Sequence, residues 1–199
     1  MGFGESCDLK ISNVEYLPTG SCFAIEGEAY EVPMVGEFNV RNAAMAVCSA
    51  RFAGLEPEEI RRGLLSFEGI ARRQQERGEV RGITVVDDFA HHPTAIGLAI
   101  DGLRQKYPSR RLWVVFEPRS NTTRRNIFQD DLAMALKKAD CVVIPSIPHP
   151  EKVAENERLD PEKLVADISS AGAHSWHLGE VEEICLLYTS PSPRDKHRS

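Results

Sequence analysis

The chain is 199 residues long, 42% apolar and 27% charged, with a net charge of −6. That is room for one large domain or two small ones, and the acidic balance excludes a surface that draws nucleic acid or anionic membrane as a whole, leaving only a local basic site open. No stretch reaches the ~18 consecutive apolar residues of a membrane span, and Met1–Lys10 lacks a basic region followed by an apolar core, so neither a spanning helix nor a signal peptide is expected.

Residues 1–36 read as β-rich. Lys10–Leu17 and Cys22–Val32 alternate moderately around the turn signal Pro18-Thr19-Gly20, which predicts a hairpin. Gly2-Phe3-Gly4 is too short to be a phosphate loop. Residues 37–54 predict a helix, because Val40, Ala43, Ala44, Val47 and Ala50 recur at spacings of three and four and Gly54 can end it. Asn39 and Asn42 fall on one face of its first turn. Asn39 there reads as a cap, or the two amides together could read a donor–acceptor edge such as adenine. A second helix starts at Pro57-Glu58-Glu59 and buries Ile60, Leu64 and Leu65, its early acids matching the helix dipole. Residues 66–82 contain Arg72, Arg73, Arg77 and Arg81 with little periodicity, and read as a linker between two domains. An arginine pair beside a nucleotide site would clamp phosphate, since guanidinium forks match phosphate oxygens.

From residue 83 the pattern becomes strand–helix alternation. Ile83, Val85 and Val86 form a strand with Asp87 and Asp88 at its carboxyl end, followed by Phe89-Ala90-His91-His92 and by Pro93, which suits the first turn of the helix Thr94–Tyr107. Strand Leu112–Phe116 precedes a helix over 126–139. Strand Cys141–Ile144 precedes a proline-rich loop and a helix opening at Asp160-Pro161-Glu162. Ser175–Leu178 is a weak strand, and Val181–Leu187 begins a last helix. This order predicts an α/β fold with a Rossmann-like parallel sheet. The final twelve residues, 188–199, are rich in serine and proline without an apolar face, and read as a disordered, foreign tail.

Three loops then leave the carboxyl ends of predicted parallel strands, where open α/β sheets bind ligands. They are Asp87–Pro93, the loop Glu117-Pro118-Arg119-Ser120-Asn121-Thr122-Thr123-Arg124-Arg125, and 145–150 with His149. Acids, imidazoles and many arginines sharing one cleft suit a ligand with phosphates and carboxylates. A metal-dependent hydrolase using Asp87, Asp88, His91 and His92 is a rival reading, weakened by the arginines that would repel a cation. A nucleotide- or anion-binding module without chemistry is another. The five cysteines form no C-x-x-C pair, which points to small hydrophobes in a reducing cytosol and to no structural zinc.

Four motifs occur in register: Gly-Glu-Phe-Asn-Val-Arg-Asn-Ala at 36–43, Arg72-Arg73, Asp-Asp-Phe-Ala-His-His-Pro at 87–93 and Glu-Pro-Arg-Ser-Asn-Thr at 117–122. With them the chain resembles the ATP-dependent Mur ligases of bacterial cell-wall synthesis. The resemblance implies the end of a P-loop ATPase-type central domain over 1–78 and most of a Rossmann-like C-terminal domain over 79–187. It implies that a muramate carboxylate is activated by ATP as an acyl phosphate, which the amino group of a peptide displaces. ATP and Mg2+ are the implied cofactors, with the Mg2+ ligands in a part of the central domain outside this sequence. UDP-N-acetylmuramate and the murein tripeptide are the implied substrates, in the cytoplasm, with no nucleic-acid or membrane partner. Residue by residue, Asn39 and Asn42 match the asparagines at adenine and Arg73 the arginine at the phosphates. Asp88 matches the aspartate on the ribose, with His91 near the nucleotide. Arg119, Ser120 and Asn121 match the loop that holds the acceptor's carboxylates, and favour an acceptor with several of them over L-alanine alone. The sequence departs from the family at Phe38, often histidine, and at Gln75, usually an acid. No Gly-Lys dipeptide exists, so the P-loop is absent and this piece is not expected to be a competent ligase alone.

Overall fold

A computed structural model describes residues 1–179 and 181–189. Contacts group the chain into two compact units, Met1–Ala90 with Leu98–Arg110, and His91–Gly97 with Arg111–Ser199. The division falls between Ala90 and His91 and again within one helix.

The first unit opens with an antiparallel sheet of β1 (Ile11–Leu17), β2 (Gly20–Ile25) and β3 (Glu28–Val32), in that order. The run expected as one strand, Cys22–Val32, is itself a hairpin. Glu26 and Gly27 both take left-handed backbone, with φ of 52° and 84°, the geometry of a tight two-residue turn matched to strand twist. Helices α1 (Glu37–Phe52) and α2 (Pro57–Leu65) follow. The predicted apolar face of α1, Val40, Ala43, Ala44 and Val47, is buried against Phe23, Ile25, Tyr30 and Val32, with Ile60 of α2 in the same core. Gly54, at φ 87°, comes just after the end of α1, as expected.

Two further strands, β4 (Gln75–Val80) and β5 (Ile83–Asp87), pair antiparallel across Arg81-Gly82, both at positive φ. Two expectations are corrected here. The arginine-rich stretch is strand from Gln75 onward, hidden from periodicity because almost every residue of β4 is exposed. Asp87 and Asp88 lie at the end of a hairpin strand, not of a strand in the parallel sheet. The hairpin is tied to the end of helix α3 (Pro93–Lys106). Lys106 Nζ lies 2.6 Å from Glu76, the Tyr107 hydroxyl donates to Glu76 at 2.5 Å, and Arg110 reaches Glu79 and the Gly82 carbonyl.

The second unit is the predicted α/β fold. Strands β6 (Trp113–Val115), β7 (Cys141–Pro145) and β8 (His174–Leu178) are parallel and lie in that order, separated by α4 (Gln129–Leu136) and α5 (Pro161–Ser170). Central β7 is buried from Cys141 through Ile144, as a strand covered on both faces must be. Leu132, Leu136, Leu164 and Ile168 of the two helices are fully buried. Ile184 and Leu187 of α6 (Val181–Thr189) pack with Val143, Trp113, Trp176 and Leu178. Asp160 caps α5 by accepting from the Lys163 N–H at 3.0 Å, with Pro161 in the first turn, as predicted. Helix α6 continues to Thr189, and the rest of the expected tail, 190–199, lies outside the described residues. Among the described residues no helix is long and apolar enough to cross a membrane.

Candidate functional site

In the first unit, Asp88 sits at the centre of a strained turn. Its Oδ2 accepts from the Gln74 N–H at 2.9 Å and its Oδ1 from the Ala90 N–H at 2.7 Å. Arg72 and Gln74 both hold left-handed backbone, φ 60° and 47°, which costs a non-glycine residue about 1 kcal/mol and persists only where the surroundings enforce it. The guanidiniums of Arg72 and Arg73 lie 4.9 Å and 5.7 Å from the Phe89 ring centroid. Arg72 Nε is 3.6 Å from Asp87 Oδ2, whereas Arg73 is exposed. At Gln75, usually an acid in the family, the amide oxygen accepts the Arg72 N–H at 3.0 Å, a role either residue type can fill.

The two asparagines behave differently. Gly36 takes the N-cap position of α1, so Asn39 lies one turn inside the helix. It is 4% exposed and its Nδ2 donates to the Val35 carbonyl at 2.9 Å, which replaces the expected cap. Asn42 is exposed. The start of α1 and the Asp88 turn meet on one surface of α3. A methyl group on Gly102 would lie 2.7 Å from Gln74 Nε2 and 3.4 Å from the Val35 carbonyl, and Gly102 Cα is 3.3 Å from a methyl placed on Gly36. The structure therefore gathers Arg72, Arg73, Gln74 and Asp88, and links them to the helix end that carries Asn39.

The remaining residues belong to the second unit. His92 opens α3, its ring nitrogen taking the Thr94 N–H at 3.3 Å and its carbonyl the Ile96 N–H at 2.9 Å, while its ring meets Phe128 edge-on at 4.8 Å. His91 is exposed. After β6, the loop closes on itself. The Ser120 hydroxyl is 2.8 Å from that of Thr123, which is 1% exposed, and takes the Thr123 N–H at 3.1 Å. Arg119 and Asn121 stand exposed on this pinned turn. The same loop and the one after β7 share a cavity of about 300 Å³ lined by Arg124, Arg158, His177 and Ser146 among others. Of these, Arg124 and Ser146 fall on loops that the sequence placed at the site, whereas Arg158 and His177 were missed, the latter obscured by the weak strand pattern of β8. Among the described residues no three His, Cys, Asp or Glu side chains cluster as a metal site. None of the five cysteines is in a disulfide.

The second unit is an α/β domain whose parallel sheet carries arginines, hydroxyls and an amide on the loop after β6. The Mur ligase, glutamate ligase domain matches residues 72–192, and the chain belongs to the Mur ligase family, whose members are ATP-dependent ligases. Over 173 residues the chain is 38% identical to the UDP-N-acetylmuramate–L-alanine ligase of Bifidobacterium longum (strain NCC 2705), covering 85% of this chain and 33% of that protein. Over 124 residues it is 46% identical to the UDP-N-acetylmuramate–L-alanyl-γ-D-glutamyl-meso-2,6-diaminoheptandioate ligase of Escherichia coli K12, covering 61% of this chain and 27% of that protein. The chain thus spans a third or less of the length of these curated relatives. The fold matches the solved UDP-N-acetylmuramate-alanine ligase of Thermotoga maritima with a TM-score of 0.74 at 18% identity, over 95% of this chain and 41% of that one. It also matches a murein peptide ligase from Psychrobacter arcticus with a TM-score of 0.62 at 28% identity, over 96% and 40%.

Proposed function

We propose that this chain is the C-terminal part of an ATP-dependent amide ligase that joins UDP-N-acetylmuramate to the L-alanyl-γ-D-glutamyl-meso-diaminopimelate tripeptide in peptidoglycan recycling. Residues 1–78 would end the central domain and 79–187 form most of the third. The observation that carries the choice of acceptor is the loop after β6. Its turn is fixed by the Ser120–Thr123 pair, and it presents Arg119 and Asn121 outward, donors suited to a peptide with several carboxylates. The 46% identity to the Escherichia coli tripeptide ligase supports the same reading.

The nucleotide falls to the first-unit group. Asp88 spends one lone pair of each oxygen on backbone N–H groups and keeps others for a ribose hydroxyl. Arg73, exposed over Phe89, is a phosphate ligand. Asn42 presents an exposed amide to an adenine edge, while Asn39, with one N–H spent on Val35, retains its carbonyl oxygen and second N–H for that purpose. His91 is assigned to the nucleotide on its motif match alone. When bound, ATP supplies the activation of the muramate carboxylate as an acyl phosphate, and the residues here orient the nucleotide and hold the acceptor so that its amino group displaces phosphate. Mg2+ ligands belong to the upstream part of the central domain.

The L-alanine ligase is the second reading, favoured by the 38% identity that extends over 85% of this chain. The test is phosphate release by the ligase with its upstream half and full C-terminus restored, given ATP, UDP-N-acetylmuramate and either acceptor. Turnover with the tripeptide alone is the expected result. Turnover with L-alanine alone overturns it.

A further inference from the structure

The cavity in the second unit has two arginines and a histidine in its wall. Arg124 and Arg158 line it with His177 and Ser146, and no lining residue is acidic. Arg124 is 8% exposed, and its Nε–H has no hydrogen-bond partner; Nε2 of His177 is likewise buried and unpartnered. Native folds leave few such atoms, and one explanation is a ligand that supplies the missing acceptor. The frame around them is held independently. The Leu159 N–H donates to the Arg124 carbonyl at 2.8 Å, Arg158 Nε–H donates to the Val153 carbonyl at 2.9 Å, and Glu162 fixes the His177 ring through Nδ1 at 2.8 Å. Because a carboxylate only accepts, Nδ1 carries its proton toward Glu162, and Nε2 is left as an acceptor in the neutral ring and a donor in the protonated one.

We propose that this cavity is a carboxylate site that receives one acidic end of the acceptor peptide, with Arg124 and His177 as its anchors; this rests on the ligase reading above. A volume of about 300 Å³ is at the small end of ligand pockets and takes an amino-acid-sized end, not a whole peptide or a nucleotide. Ile147, Val153 and Leu159 supply an apolar wall for the methylenes that lead to such a carboxylate. The guanidinium fork supplies charge-assisted donors, and the doubly protonated ring of His177 supplies one more through Nε2–H. The loops that form the cavity leave the carboxyl ends of β6 and β7, where an α/β sheet places its ligands. The exposed Arg119 then makes first contact with the peptide, while buried Arg124 and His177 discriminate its far end.

Carboxylate and phosphate share this chemistry, so the probes separate them. The 199-residue chain is titrated by calorimetry with the tripeptide, with the tripeptide whose carboxylates are all amidated, and with inorganic phosphate. NMR follows the arginine Nε–H and histidine ring signals. The expected result is tripeptide binding that shifts the Arg124 and His177 signals, no binding of the amidated form, and phosphate binding far weaker than the tripeptide's. His177→Gln should weaken the tripeptide roughly tenfold and Arg124→Met ten- to a hundredfold. His177→Gln also decides the matter if Arg124→Met does not fold. Equal binding of the amidated peptide, phosphate binding as tight as the tripeptide, or full affinity in His177→Gln with signal changes confined to Arg119–Asn121 overturns the proposal. Those results leave turnover of the restored ligase with the tripeptide intact, so the pocket and the ligase reading fail separately.

Discussion

Asp88 carries two roles that one pair of substitutions separates. Asp88→Ala removes the acceptor for both the Gln74 and Ala90 N–H groups, at 2.9 Å and 2.7 Å. A bond to a charged acceptor contributes about 1.5–3 kcal/mol, and partial solvent access at this half-buried carboxylate argues for about 1–1.5 kcal/mol each. The gross loss is then about 2–3 kcal/mol. Release of the left-handed strain at Gln74 returns about 1 kcal/mol, leaving about 1–2 kcal/mol net. Asp88→Asn keeps one acceptor oxygen and should lose about half as much. With a urea slope of about 2 kcal/mol/M, the midpoint falls by about 0.5–1 M for alanine. Amide exchange at Gln74 and Ala90 should speed up in the alanine variant, and at one of the two in the asparagine variant. Exchange of both amides at parental rates in Asp88→Ala refutes this account of the turn. In the restored ligase, the ribose role requires Asp88→Asn to lose ATP affinity beyond its small stability cost.

Other positions test the frame around the site. Gly20→Ala should destabilise the first unit by about 2–4 kcal/mol in thermal unfolding, because its new methyl would lie 2.5 Å from the Val32 carbonyl oxygen and 3.2 Å from Pro33 Cα, both backbone atoms that cannot swing aside. Thr123→Val should cost about 1–3 kcal/mol in urea unfolding, since it strands the Ser120 N–H and hydroxyl in a buried turn. Tyr107 tests pH dependence. Burial first, and its bond to the Glu76 carboxylate second, push its hydroxyl up to about 12 from an ordinary value of 10. The folded state therefore favours the neutral phenol. That stability is whole below pH 10 and is lost as pH rises towards 12. Tyr107→Phe should flatten this alkaline loss, followed by unfolding midpoint against pH and by tyrosinate absorbance.

The elements that were legible share a cause. Helix α1, the β6–α4–β7–α5–β8 series and the Asp160-Pro161 start each bury one face or carry a cap, and burial and capping leave periodic or local marks in sequence. Strand β4 has neither mark. Five of its six residues are exposed, and pairing with β5 alone makes it a strand. Glu26-Gly27 likewise hid the second hairpin, because glutamate is a poor signal for positive φ. Among the candidate site residues, the motifs marked loops but could not say which side chains are already spent. Asn39 is committed to Val35, and Ser120 to Thr123.

That distinction sets how the motifs should be read. A residue whose side chain is fully engaged within its own turn shapes the site; a residue that is buried, charged and unpartnered is the better candidate for touching a ligand. By that criterion Arg124 outranks Ser120 within the same loop, although both stand in one continuous polar stretch. Ser120 and Thr123 satisfy each other, so their loss should appear chiefly as lost stability and less precise placement of Arg119. Arg124 keeps a buried Nε–H without a partner at a cavity wall, so its loss should appear in the affinity for an anionic ligand. A stability measurement and a binding measurement on Thr123→Val and His177→Gln should therefore move in opposite patterns. Parallel losses in both would mean that loop and cavity form one structural unit with no separate ligand-holding group.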